Sequence, residues 1–282
     1  MVANPTKWTL ETAQAERDEQ KRRNSPGSFF YAQGRALVSA AGYFHDGRLT
    51  HASRGGVARK HRHRINLALF GQLMASFEYM LKDFVAQGID LVDVLDDRLK
   101  GEKWLSLDIE RVLNQRVAQV SVGALLVHPT MGWHDPDQVN DRFKSLYGNE
   151  PIATDEIREL RRLWVLRHTV AHNAGFLTGP DAGRLGLPHL KESVVAIDAE
   201  YLEETFGFLR PIATRVARDS GKALLMKWLR PLGPQGADWD RDEETYRSLK
   251  WLGTLVDSRP TPLPSLNETD YQADWQDLHG FV

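Results

Sequence analysis

Residues 155–175 run Asp155-Glu-Ile-Arg-Glu-Leu-Arg-Arg-Leu-Trp-Val-Leu-Arg-His-Thr-Val-Ala-His-Asn-Ala-Gly175 and leave little choice of local structure. Ile157, Leu160 and Trp164 follow three- and four-residue steps, which makes one apolar stripe on an α-helix, and Val170 and Ala171 extend the burial toward its end. Asp155 and Glu156 lead, where the helix dipole favours negative charge. Asn173-Ala174-Gly175 follows, residues that tolerate a left-handed C-terminal turn. A helix of about five turns with one apolar side has to bury that side against other elements.

Similar stripes recur elsewhere. Leu69, Leu73, Phe77, Met80, Leu81 and Phe84 predict a helix over 65–87 with Gly88 as its stop. Ile109, Val112, Leu113, Val117 and Val120 predict another over 106–127. Asp198 offers an N-cap to a long helix over 198–230 through Tyr201, Leu202, Phe206, Leu209, Ile212 and Val216, strained at Pro211. Shorter helices are expected at 89–100 and 139–147, while 192–197 has strand character in one run too short for a stable sheet. The expected fold class is all-α, with the 65–87, 106–127, 155–173 and 198–230 segments packed together.

The ends differ in composition from this centre. Residues 6–24 are charge-dense and read as a short exposed helix, and 29–44 are apolar enough to dock as a second helix. From Pro231 onward prolines and glycines accumulate, and Trp239, Trp251 and Trp275 fall in the same stretch, so this extension is expected to pack on the bundle or on a partner. The organisation is therefore read as accessory helices and a basic loop over 1–64, a helical bundle over 65–230, and a C-terminal extension over 231–282.

Apolar residues make up 41% and charged residues 26% of the 282, with a formal net charge of −2, so any nucleic-acid site has to be a local patch rather than a global field. Cysteine is absent, which removes disulfides and thiolate metal sites and fits a reducing compartment. No apolar run approaches the ~18 residues of a membrane span, and the N-terminus lacks a signal-like apolar core. The expectation is a cytoplasmic protein with no membrane partner.

One local patch lies at 48–64, where Arg54, Arg59, Lys60, Arg62 and Arg64 surround Gly55-Gly56. Closely spaced cations neutralise phosphate charge, so a backbone-holding RNA loop is one reading and a solvated linker the other. No aromatic in the stretch can stack a base, which argues against specific single-strand reading.

The remaining outliers are Arg167, His168 and His172, crowded into the last turn and a half of the 155–173 helix. Basic residues are favoured near a helix C-terminus, which explains them without function. His168 and His172, four apart, also have the spacing of two zinc ligands, but no Glu sits between them and no third ligand is evident. A third reading comes from pattern: Arg167-His168-Thr169-Val170-Ala171-His172 resembles the R-x4-6-H motif of HEPN domains. The 69–84 segment with Glu78 resembles the early HEPN helix that presents an acidic residue to the motif, and His172-Asn-Ala-Gly175 resembles the segment that closes it. The resemblance covers about residues 65–230.

That resemblance implies a HEPN-like helical bundle, usually dimeric, and a metal-independent endoribonuclease of toxin or phage-defence type. It implies no cofactor and no metal. Cleavage would proceed by 2′-hydroxyl attack, giving a 2′,3′-cyclic phosphate and a 5′-hydroxyl. Arg167 and His172 take the catalytic roles, supported by His168 and Glu78, and Asn173 joins the basic residues of 48–64 in contacting RNA. The implied partners are RNA, a second copy of the chain and a regulatory protein. The alternative is a non-catalytic HEPN module that binds RNA, a nucleotide or a protein. Two departures are visible: Ala174 stands where many toxin members carry Tyr, and His168 where Asn is commoner. Five residues also advance an ideal helix by about 500°, which places Arg167 and His172 about 140° apart. Fraying of the last turn, or a neighbouring motif helix from a second subunit, would be needed to unite them.

Overall fold

The computed structural model describes residues 25–45, 52–91, 95–105, 121–130 and 132–229, for 44–45, 52–60 and 228–229 the backbone alone. The expected helix at 6–24, most of that at 106–127 and the extension at 231–282 lie outside the described residues. The described residues are helical apart from connecting turns and one isolated bridge. The all-α expectation holds.

Helix α1 spans Pro26–His45 and α2 spans Ala52–Leu91. A short α3, Asp96–Leu99, and α4, Val122–Val127, precede α5 at Pro136–Leu146 and α6 at Thr154–Asn173. Then come α7 at Gly179–Arg184, a 3-10 turn at Pro188–Leu190 and α8 at Ala199–Arg215. A π turn at Val216–Ser220 leads into α9 at Gly221–Leu229. None of the described helices is long and apolar enough to cross a membrane.

Helix α2 is the central post, because it contacts α1, α4, α6 and α8. Its buried row Phe70, Leu73, Met74, Phe77, Met80, Leu81 and Phe84 follows the helical repeat and meets aromatic rings from three sides. Phe77 packs edge-on to Phe30 of α1 at 5.4 Å and against Trp164 of α6 at 6.2 Å, while Phe84 stacks on Phe143 of α5 at 5.9 Å. Phe30 in turn meets Phe206 of α8 at 5.8 Å, so α1 contributes to the same core as the bundle. Helix α4 comes so close to α2 that a Cβ on Gly123 would overlap the Ala86 carbonyl, and the Gly123 N–H donates to Asp90 Oδ1 at 2.7 Å. Only glycine fits there.

The reading of 48–64 as a loop is corrected. From Ala52 onward the backbone is helical, and the basic stretch forms the first turns of α2, continuous across the expected boundary at 64. Its charges do not prevent helix formation, because Arg and Lys are good helix formers and Gly55-Gly56 only lower the propensity. Of the helix expected at 89–100, the described residues place 89–91 at the end of α2 and 96–99 in α3, and 92–94 lie outside the described residues. Pro211 sits inside α8 without ending it, and the departure from α geometry comes later, in the π turn.

Candidate functional site

The start of α6 is clamped before its other end can matter. Asn140 of α5, buried, donates from Nδ2 to the Ile152 carbonyl at 2.8 Å and accepts the Ile152 N–H at 3.0 Å, which fixes the approach to the helix. Ala153 has no side-chain acceptor for capping, but Glu156 reaches back to accept its N–H at 2.8 Å. Arg215 of α8 then donates to the Pro151 carbonyl at 2.9 Å and pairs with Glu156.

At the far end the helix stays regular through Asn173 and stops in the left-handed region, with Ala174 at φ 52° and Gly175 at φ 83°. The Gly175 N–H closes the turn onto the Thr169 carbonyl at 3.1 Å. The chain then runs back over itself: Leu177 and Ser193 share a backbone hydrogen bond at 2.9 Å, and Asn66 of α2 donates to the Ile197 carbonyl at 3.0 Å. The strand-like run at 192–197 thus makes one bridge, Phe176 with Val194, and no sheet.

Two side-chain pairs form at this end. Arg167 Nη2 lies 3.9 Å from Glu78 Oε2 of α2, a loose ion pair beyond hydrogen-bond length, while Lys82 holds the other Glu78 oxygen at 2.8 Å. Glu78 is therefore not simply exposed; its side chain is 15% accessible and sits between two cations. His168 and His172, both exposed, lie with ring centroids 4.6 Å apart. Arg167 points toward α2 and the histidines face outward, so the intact last turn keeps the two halves of the motif on different sides of one chain. Among the described residues no group of three His, Asp or Glu side chains is placed to hold a metal ion.

Asn173 is engaged within the fold: its Nδ2 lies 3.4 Å from Asp181 Oδ2, which also accepts from Thr178 at 2.7 Å. Arg62 and Arg64 are exposed on α2, and Arg54, Arg59 and Lys60 lie on its helical backbone. No described contact joins any of these to the motif residues.

Farther along α2 and at the end of α4 two groups are perturbed. Burial chiefly pushes the Asp83 carboxyl up to about 6, against a hydrogen bond from Gln87 at 2.8 Å that lowers it and with Asp90 adding to the rise. Burial and, secondly, the Lys82 charge hold His128 below the usual histidine range, and its ring lies 5.3 Å from Tyr79.

Sequence reading overlooked a groove of about 870 Å³ beside α6, between the start of α5 and the end of α7. His168 lines it, and Arg158, Arg161, Arg162, Val165 and His168 reach it from one helix face at three- and four-residue spacing. That periodicity was available in the sequence; what hid the groove was its opposite wall, Asp135–Gln138 with Asp181 and Gly183–Gly186, which only folding brings across. Family models, curated proteins and solved structures offer no match to this chain.

Proposed function

We propose that this chain is a metal-independent endoribonuclease of HEPN type, acting as a homodimer in a toxin or phage-defence setting. The observation that supports it best is the end of α6, where Glu78 engages Arg167 while His168 and His172 stand exposed as a pair. A guanidinium stays charged and can grip two phosphate oxygens, and an exposed imidazole can exchange a proton near neutral pH.

In the reaction the ribose 2′-oxygen attacks phosphorus as its proton passes to one imidazole, the P–O5′ bond breaks, and a protonated imidazole gives its proton to the leaving 5′-oxygen. Arg167 balances the charge gathering on the phosphate. Because the last turn of α6 is intact, Arg167 and His172 of one chain diverge, and the motif helix of a second copy completes the site. Phe176 and Val194, 42% and 60% exposed just beyond the helix end, give that surface apolar area to bury.

The test is cleavage of RNA by purified protein in EDTA, with end-group analysis and sedimentation. Metal-free cleavage by a dimer, giving cyclic phosphate ends and lost in Arg167→Ala and His172→Ala, is expected. Cleavage that both variants retain, or none by the parent, transfers the reading to a non-catalytic module that binds RNA, a nucleotide or a protein.

A further inference from the structure

We infer that the groove beside α6 is a nucleotide-binding subsite that seats one ribonucleotide of an RNA strand next to the phosphate presented to the histidine pair. This deepens the ribonuclease proposal and rests on it for the identity of the ligand.

The groove's charge, shape and position each contribute. Its lining holds four arginines and three aspartates, with two histidines, His134 and His168, beside them. Most of these charges are already used: Arg161 pairs with Asp137, Arg162 donates to Glu159 at 2.9 Å, and Arg184 lies 3.9 Å from Asp181. Arg158 is exposed and has no carboxylate partner among the described residues, which leaves its fork available to an incoming anion.

A volume of about 870 Å³ is far larger than an inorganic anion needs and falls in the range of small-molecule sites. Trp164 and Val165 line the groove as well, Trp164 only 4% exposed with its ring packed on Phe77, and the Trp164 Nε1–H is buried with no acceptor among the described residues. A hollow of this size beside an unpaired guanidinium has room for a base joined to a phosphate, with the guanidinium on the phosphate. Position ties the groove to the reaction, because His168 lines it and lies 4.6 Å, centroid to centroid, from His172. A strand lying in the groove would reach the motif without leaving the surface of α6.

The experiment uses the full chain and a fluorescently labelled 2′-O-methyl oligoribonucleotide, which cannot be cleaved by 2′-oxygen attack, with anisotropy as the readout. Two groove variants act differently: Arg158→Glu reverses the unpaired charge, and Gly183→Phe adds bulk at an exposed lining position where a Cβ meets nothing. Arg218→Glu, on the π turn and away from the groove, is the charge-matched control. Both groove variants should bind about tenfold or more weakly, and the control within about twofold of the parent, with unchanged melting temperatures. Binding equal to the parent in both groove variants, equal loss in the control, or no binding by the parent overturns the inference. The outcomes separate it from catalysis: groove-dependent binding without cleavage removes the ribonuclease and keeps the subsite, whereas cleavage with groove-independent binding does the reverse.

Discussion

The two ends of α6 are built on opposite plans. Its first turn is held by Asn140, Glu156 and Arg215, side chains from three helices converging on backbone and carboxylate groups. Its last turn is held by the backbone closure onto Thr169 and the loose Asn173–Asp181 contact, and it leaves His168, Ala171 and His172 in solvent. One helix thus joins a fixed base to an open tip. Substitutions at the base should change stability, and substitutions at the tip should change chemistry.

The largest expected effects are at the tip. Under the ribonuclease proposal, His172→Ala and Arg167→Ala each lower RNA cleavage by about 10²–10⁴-fold with little change in melting temperature, since general acid–base help alone is of that order. Arg167→Lys recovers little, because an ammonium lacks the planar fork. His168→Ala is milder than His172→Ala if it only supports the site; equal losses together with metal dependence would favour the two-histidine metal reading.

At the base the effect should be reversed in kind. Asn140→Leu leaves both the Ile152 N–H and carbonyl buried and unpaired, which costs about 2–4 kcal/mol in denaturant unfolding. Unchanged stability in that variant would break the contrast between the two ends. Away from α6, Gly123→Ala forces a methyl into the Ala86 carbonyl and should destabilise by about 1–3 kcal/mol without selectively lowering cleavage at a temperature where the chain is folded.

The smallest effect concerns pH. Burial favours the protonated Asp83 in the folded chain, so the contribution of this group to stability is full below the ordinary carboxylate range and is lost as pH rises through about 6. Asp83→Asn should therefore raise stability by about 1–2 kcal/mol at pH 8 and leave it nearly unchanged at pH 4. Melting curves at the two pH values check the sign. An increase that is the same at both would assign the gain to packing instead.

Local sequence was enough for the helices whose apolar faces repeat. The α6 span, its acidic start and its left-handed stop, the Asp198 cap of α8 and the buried row of α2 all follow from neighbours within a few residues along the chain. The basic stretch ahead of residue 65 was misread because charge density and a Gly pair signal exposure, and exposure does not distinguish a loop from a solvated helix. Long-range placement was beyond reach. Nothing in Glu78 and Arg167, 89 positions apart, reveals that α2 and α6 bring them within 3.9 Å, or that Lys82 competes for the same carboxylate. The groove is a stronger case: one wall is a helical stripe readable from sequence, and the other consists of turn and helix-end residues whose position depends on how α5 and α7 pack. Periodicity reports which face of a helix is buried, since it reflects geometry within one element; what an exposed face looks out upon depends on several elements at once, and only the tertiary structure decided it.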